Sequence, residues 1–307
     1  MSEIILHHYP ASPFAEKVRT ALGIKGLAWR SVKIPNVMPK PNLMPLTGGY
    51  RMTPVMQIGA DIYCDTQRIL LELEARHPSP SFYSGANAGL LWGLSQWSDK
   101  ALFNTAVTLV FGAIGDQIPD EFINDRSAWR GAPFDLAKMQ AAAPLMLDQL
   151  RAFLDWTKGM IADGPFMMGE TAGLADLNVY YNIWFLRRRY PGAIAILEPF
   201  PSVNAWMNRM DAIGHGSVEP MDAEKALDIA RDATSTTESA EDPGDPSDRK
   251  PGDRVSVVHD ETYRVPVTGD LVSSGPQHIA IRRSDDRVGE VVVHFPRAGY
   301  QVLPIPD

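Results

Sequence analysis

The chain has 307 residues, one cysteine and a formal net charge of −8, with 45% apolar and 21% charged residues. This composition is typical of a globular protein with a sizeable core, and the length predicts about two domains. A single cysteine excludes an intramolecular disulfide framework and a cysteine-rich zinc site, and it favours a reducing compartment. The acidic balance argues against a nucleic-acid partner, which requires a basic surface.

The N-terminal residues carry no export pattern. They read MSEIILHH, without a basic n-region and with only a short apolar run, so we expect no signal peptide. No stretch approaches the ~20 apolar residues of a membrane span, so no membrane partner is predicted. We therefore predict a cytoplasmic protein.

Basic residues are concentrated near the start of the chain. Residues 1–51 contain two acids and seven bases, which are Lys17, Arg19, Lys25, Arg30, Lys33, Lys40 and Arg51. Two interpretations stay open: a local site for a small anion, or chance unevenness on a solvated surface.

The first eighty or so residues alternate strand and helix patterns. The predicted strands are residues 3–8, 27–34, 53–58 and 62–64, and one helix follows the first strand and another follows the last. Ser12 at the N-cap and Pro13 at the first helical position start the first helix, and Asp65 starts the second. The order βαβ, then ββα, predicts an α/β unit.

Residues 86–213 have helical periodicity without strand patterns. The predicted helices are residues 88–114, 135–160, 174–189 and 202–212, with a kink or restart at Pro144. This arrangement predicts an all-α bundle packed on the α/β unit. Three rings, those of Trp92, Trp97 and Phe103, belong either to the core or to a pocket wall.

The end of the chain changes character twice. Residues 221–233 predict one more helix, and residues 234–253 are rich in acids, Pro, Ser and Thr without large apolar residues, which indicates a linker. Strand-like alternation then recurs in five runs, at residues 255–258, 263–267, 278–283, 290–295 and 300–303, separated by turn signals such as Thr268-Gly269-Asp270. We predict an exposed tether followed by a separately folded β-barrel.

Four short segments resemble the glutathione transferase family of the cytosolic type. Residues 9–19 (YPASPFAEKVR) are similar to its first-helix segment, and residues 53–56 (TPVM) to the strand that begins with a cis-proline. Residues 61–66 (DIYCDT) are similar to the turn into an acid–hydroxyl pair. Residues 173–177 (GLADL) are similar to a helix-start motif in which the family usually has Ser or Thr at the first position.

The resemblance covers residues 1–213 and implies a thioredoxin-like N-terminal domain followed by an all-α helical bundle domain. We therefore predict a thioredoxin-like glutathione-binding domain at residues 1–81 and an all-helical domain at residues 86–215. A helix with the acidic linker follows at residues 216–253. A small all-β C-terminal module at residues 254–307 lies outside the resemblance.

The resemblance makes Ser12 the candidate catalytic residue. Glutathione reacts as a thiolate, which a hydroxyl donor and a helix N-terminus both stabilise. Ser12 lies where both act, although an N-cap role alone also accounts for it. Tyr9 is a competing phenol, or else a ring packed at a strand end. Thiol–disulfide reduction is disfavoured because the family members that perform it carry a cysteine at the position of Ser12.

Four further residues are predicted by resemblance to bind glutathione. Thr53–Pro54 is expected to be a cis peptide, with the backbone N–H and C=O of Thr53 facing the cysteinyl part. Asp65 suits the γ-glutamyl ammonium, and Thr66 at a helix N-terminus suits its α-carboxylate. The alternatives are an ordinary edge proline and a pair of helix-capping residues.

The remaining candidate residues receive plainer interpretations. Arg51 and Lys40 are both candidates for the glycyl carboxylate, and the sequence does not decide between them. Cys64 is expected to be a buried, unreactive thiol. His7 and His8 have no neighbouring cluster of ligands, so no metal is predicted.

The leading interpretation is an enzyme, a glutathione transferase with glutathione as co-substrate and a hydrophobic electrophile as second substrate, assembled as a homodimer. The alternative is a non-catalytic glutathione-transferase-like scaffold that binds a protein partner. Glutathione binding discriminates between them, and the intact Asp65–Thr66 pair favours binding.

Overall fold

The computed structural model describes residues 3–84, 86–161, 164–260 and 265–305. The strands are β1 (Ile5–His8), β2 (Ala28–Lys33), β3 (Val55–Ile58), β4 (Asp61–Cys64), β5 (Ser217–Pro220), β6 (Arg254–His259), β7 (Val267–Ser274), β8 (His278–Asp285), β9 (Gly289–Pro296) and β10 (Tyr300–Pro304). The helices are α1 (Pro13–Ile24), α2 (Met44–Thr47), α3 (Thr66–Arg76), α4 (Ala88–Trp97), α5 (Phe103–Ala113), α6 (Asp120–Arg130), α7 (Leu136–Met160), α8 (Leu174–Arg189), α9 (Ala193–Leu197), α10 (Pro201–Ile213) and α11 (Ala223–Asp232).

The N-terminal α/β unit has the predicted order. β1 pairs in parallel with β2 and antiparallel with β3, and β3 pairs antiparallel with β4. The Thr53–Pro54 peptide that leads into β3 is cis, as predicted. β5, which the sequence does not predict, adds to the free edge of β2 in parallel.

The helical unit also follows the prediction, with additions. A π-helical turn at Ser98–Leu102 joins α4 to α5, so this pair covers the first predicted helix. α7 continues through Pro144, so of the predicted kink or restart the restart does not occur. The helices α6 and α9 are not predicted by the periodicity; α6 is mostly exposed or half-buried, so it lacks a strong apolar stripe.

The C-terminal strands extend the N-terminal sheet. The order across the sheet is β10-β6-β7-β8-β9-β4-β3-β1-β2-β5. β9 pairs in parallel with β4, with Ile62 opposite Val293. Four of the five predicted strands are therefore present, as β6, β8, β9 and β10, but the prediction of a separate barrel is wrong. Without β9, β4 would be an edge with unpaired N–H and C=O groups, and this edge captures β9.

One predicted turn is part of a strand. Gly269-Asp270 lies inside β7, where a Cβ at Gly269 would approach the carbonyl oxygen of Arg282 to 2.5 Å. The glycine thus permits a close approach of β8 and does not end the strand. Of the strand predicted at residues 263–267, residues 263 and 264 lie outside the described residues. Residues 265 and 266 are not in a strand, and β7 begins at Val267.

The acidic segment at residues 234–253 is mostly exposed but is bound to the sheet. The hydroxyls of Ser235 and Thr237 donate to the Asp61 carboxylate at 2.6 and 2.8 Å, and the Thr236 N–H donates to it at 3.1 Å. Farther along, the Gly252 N–H donates to the carbonyl of Leu271 at 2.8 Å. The segment is therefore not the free tether that its composition predicts.

The N-terminal and C-terminal strands share one apolar core. On the face covered by α2 and α11, a single buried cluster contains Ile62 and Cys64 of β4, Leu227 of α11, and Val291 and Val293 of β9. The opposite face of β1–β4 packs against α1, α3 and the start of α8 in a second cluster. A third cluster fills the helical bundle.

Most bases near the start of the chain pair with acids inside the protein. Lys17 pairs with Asp99 of the π-helical turn at 3.0 Å, and Lys25 pairs with Glu74 of α3 at 2.5 Å. Both lysines of these pairs are buried. Neither a solvated surface nor a single anion site accounts for the basic excess, because much of it neutralises acids of later elements.

Candidate functional site

A cavity of about 570 Å³ lies between the sheet and the helical bundle. The candidate residues from the sequence all line it: Tyr9, Ser12, Lys40, Arg51, Thr53, Pro54, Asp65 and Thr66. They come from the loop before α1, the loop before β3 and the start of α3. The fold thus brings together segments that the sequence analysis could only align by resemblance.

Ser12 caps α1 at the floor of this cavity. Its side chain is almost fully buried, and its Oγ accepts the Ala15 N–H at 3.1 Å. That bond uses an oxygen lone pair, and in the described part of the chain no acceptor takes the hydroxyl proton. Ser12 can therefore cap the helix and donate to a thiolate at the same time. Tyr9 lines the same cavity and stays a competitor.

The Thr53 backbone is open to an extended ligand. Among the described residues, its N–H and C=O form no hydrogen bond. Its hydroxyl accepts from Lys40 Nζ at 3.1 Å, and the same ammonium donates to the carbonyl of Arg51 at 2.8 Å. This loop presents a free backbone donor and acceptor beside a buried cation.

Lys40 and Arg51 differ in their ionic partners. The Arg51 guanidinium pairs with Asp125 of α6, which also pairs with Arg126. Lys40 is 3% exposed, and no carboxylate of the described residues lies within ion-pair distance of it. Burial, with added repulsion from Arg51 and Arg126, lowers the pKa of Lys40 to about 7. Lys40 is thus the cation that an incoming carboxylate would stabilise most.

Asp65 has a strained backbone at the N-cap of α3. Its φ of 74° and ψ of 141° lie in a region that is nearly restricted to glycine and costs about 1–3 kcal/mol. One carboxylate oxygen accepts the Gln67 N–H at 2.9 Å, and the other accepts the Tyr300 hydroxyl at 3.1 Å. Burial raises the pKa of Asp65. Thr66 follows, buried, as the first residue of the helix.

The C-terminal strands contribute a wall that the sequence analysis missed. His259 and Asp260 at the end of β6 line the cavity, as do Ala298, Gly299 and Tyr300 at the turn into β10. Tyr300 and Asp65 are 235 residues apart in the chain. No local pattern signals this contact, because it depends on the pairing of β9 with β4.

Aromatic rings of the helical bundle also line the cavity. Phe111, Phe122 and Phe134 line it, with the Phe111 ring 5.5 Å from Phe122 and 5.1 Å from Phe134 between centroids. Of the three rings left open by the sequence, Phe103 lines the cavity, whereas Trp97 packs on Phe153 in the bundle. Trp92 packs against the core. A cavity lined by polar groups of the N-terminal unit and by aromatic rings of the bundle suits both a polar and an apolar ligand.

The start of α8 explains a departure from the family pattern. The Asp176 carboxylate accepts the N–H groups of Gly173 and Met167, both at 3.0 Å, and the indole N–H of Trp206 at 2.8 Å. A Cβ at Gly173 would approach the carbonyl oxygen of Phe82 to 2.5 Å. This close approach requires glycine where the family usually has Ser or Thr.

The other candidates have no role at the cavity. Cys64 is buried, as predicted, and burial raises the pKa of its thiol. Burial lowers the pKa of His7 to about 4. No group of three or more metal-ligating side chains occurs among the described residues. No helix in the described ranges is both long and apolar enough to cross a bilayer.

Comparisons with known proteins agree with this architecture. The family models described as "Glutathione S-transferase, N-terminal domain" and "Glutathione S-transferase, C-terminal domain" match residues 6–81 and 140–209. A solved GST-like protein from Pseudomonas syringae is 38% identical, with 99% of this chain and 100% of that chain covered and a TM-score of 0.79. No curated protein matches the sequence significantly.

More distant solved structures cover only part of the chain. A glutathione S-transferase from Rhodospirillum rubrum is 20% identical over 68% of this chain and 88% of its own, with a TM-score of 0.54. A glutathione transferase from Populus trichocarpa is 16% identical over 68% and 93%, with a TM-score of 0.52. At these identities the likeness shows the fold alone.

Proposed function

Because the chain belongs to the glutathione S-transferase family, we propose that it is an enzyme that conjugates glutathione to a hydrophobic electrophile. The observation that carries the proposal is a single cavity lined both by the polar residues Ser12, Thr53 and Asp65 and by aromatic rings of the bundle such as Phe111. Glutathione is an extended peptide with a central thiol, two carboxylates and an ammonium, and each of these groups has a candidate partner among the polar residues of the cavity.

The polar groups suggest one orientation for glutathione. Asp65 receives the γ-glutamyl ammonium, and Thr66 with the first N–H groups of α3 receives the adjacent carboxylate. Thr53 pairs through its backbone with the cysteinyl residue, as a neighbouring strand would. Lys40 receives the glycyl carboxylate, since Arg51 is already paired with Asp125.

The chemistry requires the glutathione sulfur as a thiolate. The Ser12 hydroxyl donates to the sulfur, and the N-terminus of α1 adds partial positive charge, so both lower the thiol pKa. The thiolate then attacks the electrophilic carbon, an S–C bond forms, and the leaving group departs with its electron pair. Ser12 is not the nucleophile and forms no covalent intermediate.

The scaffold alternative receives less support from the site. A chain that used the fold only for docking would have no need of an open Thr53 backbone, a strained Asp65 and a buried Lys40 in one cavity. The C-terminal strands also line that cavity and do not stand apart as a docking module. We further propose a cytoplasmic homodimer, for which light scattering after gel filtration measures the assembly.

Titration calorimetry with glutathione tests the proposal, followed by conjugation of chlorodinitrobenzene measured by absorbance. We expect binding with one site per chain and turnover that saturates with glutathione. Binding without turnover of chlorodinitrobenzene, epoxides or α,β-unsaturated carbonyls would favour the scaffold. Absence of glutathione binding would reject the glutathione site altogether.

A further inference from the structure

The side of the cavity next to Asp65 is formed by the C-terminal extension, defined here as residues 234–305. Tyr300 lies opposite His259 in the β10–β6 pair, and both line the cavity. The Asp260 N–H donates to the carbonyl of Gly299 at 3.0 Å, which holds these two chain segments together beside Asp65. We propose that the extension is part of the glutathione site, with Tyr300 as the residue that positions Asp65 for the γ-glutamyl ammonium.

Tyr300 is held firmly enough for this role. Its side chain is 7% exposed, and its ring packs edge-on against His259 at 5.1 Å and beside Phe295 at 5.5 Å between centroids. The hydroxyl donates to Asp65 at 3.1 Å. A ring fixed on both sides by β-strand residues fixes the position of its hydroxyl.

Asp65 depends on outside support because its own backbone is strained. The Gln67 N–H holds one carboxylate oxygen, a contact that any N-cap aspartate makes. The Tyr300 hydroxyl holds the other oxygen and comes from the far end of the chain. This bond favours the ionised carboxylate against the effect of burial, so it serves the charge that an ammonium requires.

The inference rests on the proposed function and assigns a selective task to the extension. Asp65 faces only the γ-glutamyl part of glutathione, so Tyr300 should affect ligands that carry this part. Cysteinylglycine keeps the thiol and the glycyl carboxylate but lacks the γ-glutamyl group. Comparison of glutathione with cysteinylglycine therefore distinguishes a positioning role of Tyr300 from a general role of Tyr300 in folding.

The test uses the full chain with Tyr300→Phe, which removes one oxygen and keeps the ring. Calorimetry should show about tenfold weaker binding of glutathione, as expected for loss of a hydrogen bond to a charged group. Reactivity with cysteinylglycine should stay unchanged. Tyr180→Phe is the matched control, since its hydroxyl donates to the Asp211 carboxylate at 2.7 Å away from the cavity.

A double-mutant cycle and a pH series complete the test. In an Asp65→Asn background, Tyr300→Phe should cause little further loss. As the pH is lowered, Tyr300→Phe should lose glutathione affinity at a higher pH than the unmodified chain does. The reason is that Asp65 protonates more readily without the Tyr300 hydrogen bond. Equal glutathione affinity in Tyr300→Phe, or parallel losses for both thiols, overturns the inference. If the unmodified chain binds no glutathione, the proposed function itself has failed.

Discussion

Ser12 combines two hydrogen-bonding roles that the sequence presents as alternatives. Ser12→Ala should lower turnover of chlorodinitrobenzene roughly ten- to a hundredfold, because a charge-assisted bond to the thiolate is lost. Glutathione affinity should change little, since the neutral thiol gains less from this donor. Steady-state kinetics and calorimetry measure the two quantities.

Loss of the helix cap must be separated from loss of the thiolate donor. Asp135→Ala provides the control, because Asp135 caps α7 through the Lys138 N–H at 2.9 Å. Each substitution should cost about 1 kcal/mol of stability, but only Ser12→Ala should slow turnover. Full activity in Ser12→Ala would move the thiolate role to Tyr9, which Tyr9→Phe then tests.

Lys40 links stability and binding in opposite directions. Burial lowers its pKa to about 7, so the folded chain releases a proton that the unfolded chain keeps up to about pH 10.5. The penalty for burying the ammonium is fully present below pH 7 and disappears as the pH rises toward 10.5. Lys40→Met should therefore stabilise the protein at pH 6 more than at pH 9, measured by urea unfolding.

Lys40→Met should also weaken glutathione binding by at least tenfold at pH 6.5, if Lys40 pairs with the glycyl carboxylate. Affinity of the unmodified chain should fall as the pH rises above 7, and the variant should lose this dependence. Lys33→Met is the control, because Lys33 is an exposed base on β2. Unchanged affinity in Lys40→Met would return the glycyl carboxylate to Arg51.

At the residue scale, local motifs identify one half of the site. Ser12, Thr53 and Asp65 each lie at a helix start or a cis-proline, so neighbours in sequence create their geometry. Tyr300 and Asp125 have no such signature, since their partners Asp65 and Arg51 lie far away in the chain. Long-range partners of this kind depend on the tertiary fold and not on a local pattern.

At the element scale, β4 attaches the extension through Asp61 as well as through backbone pairing. Burial works to raise the pKa of Asp61, but hydrogen bonds from His294, Ser235 and Thr237 outweigh it and hold the pKa at about 2. The lowered pKa stabilises the fold above about pH 4, and this contribution is lost as the pH falls toward 2.

Asp61→Asn should therefore destabilise the protein by about 2 kcal/mol at pH 7, and the difference should shrink below pH 4. Urea unfolding at pH 7, 5 and 3.5 measures it. Asp232→Asn is the control, since the Asp232 carboxylate is 70% exposed. Equal stability of Asp61→Asn and the unmodified chain would show that Asp61 does not fasten the segment.

Strand patterns reveal the existence of β6, β8, β9 and β10 but not their position. The alternation of apolar and polar residues identifies each strand by itself and does not show which strand lies beside it. Asp61 of β4 and His294 of β9, for example, are 233 residues apart. The error over Gly269 has the same origin, because a glycine in a strand and one in a turn look alike until the neighbouring strand is known.

At the scale of the whole molecule, the extension and the N-terminal unit should unfold together. They share the apolar cluster beneath α11 and a continuous sheet, so removal of the extension exposes Ile62 and the edge of β4. A chain that ends at residue 233 should aggregate, or bind glutathione at least tenfold more weakly. A separately folded β-barrel on an exposed tether, as the composition predicts, would leave solubility and glutathione binding unchanged.

A variant that can be cut between the N-terminal unit and the extension distinguishes the effect of breaking the chain from the effect of removing the extension. A specific protease site inserted between Pro243 and Gly244, which are exposed, cuts the acidic segment after folding. Because β4–β9 pairing and the shared core remain, both fragments should co-elute in gel filtration, keep their glutathione affinity and separate only in denaturant. The uncut protein carrying the same insertion is the control. If the N-terminal fragment elutes alone in native buffer and binds glutathione fully, the extension is a tethered module, and the integrated sheet has no part in the site.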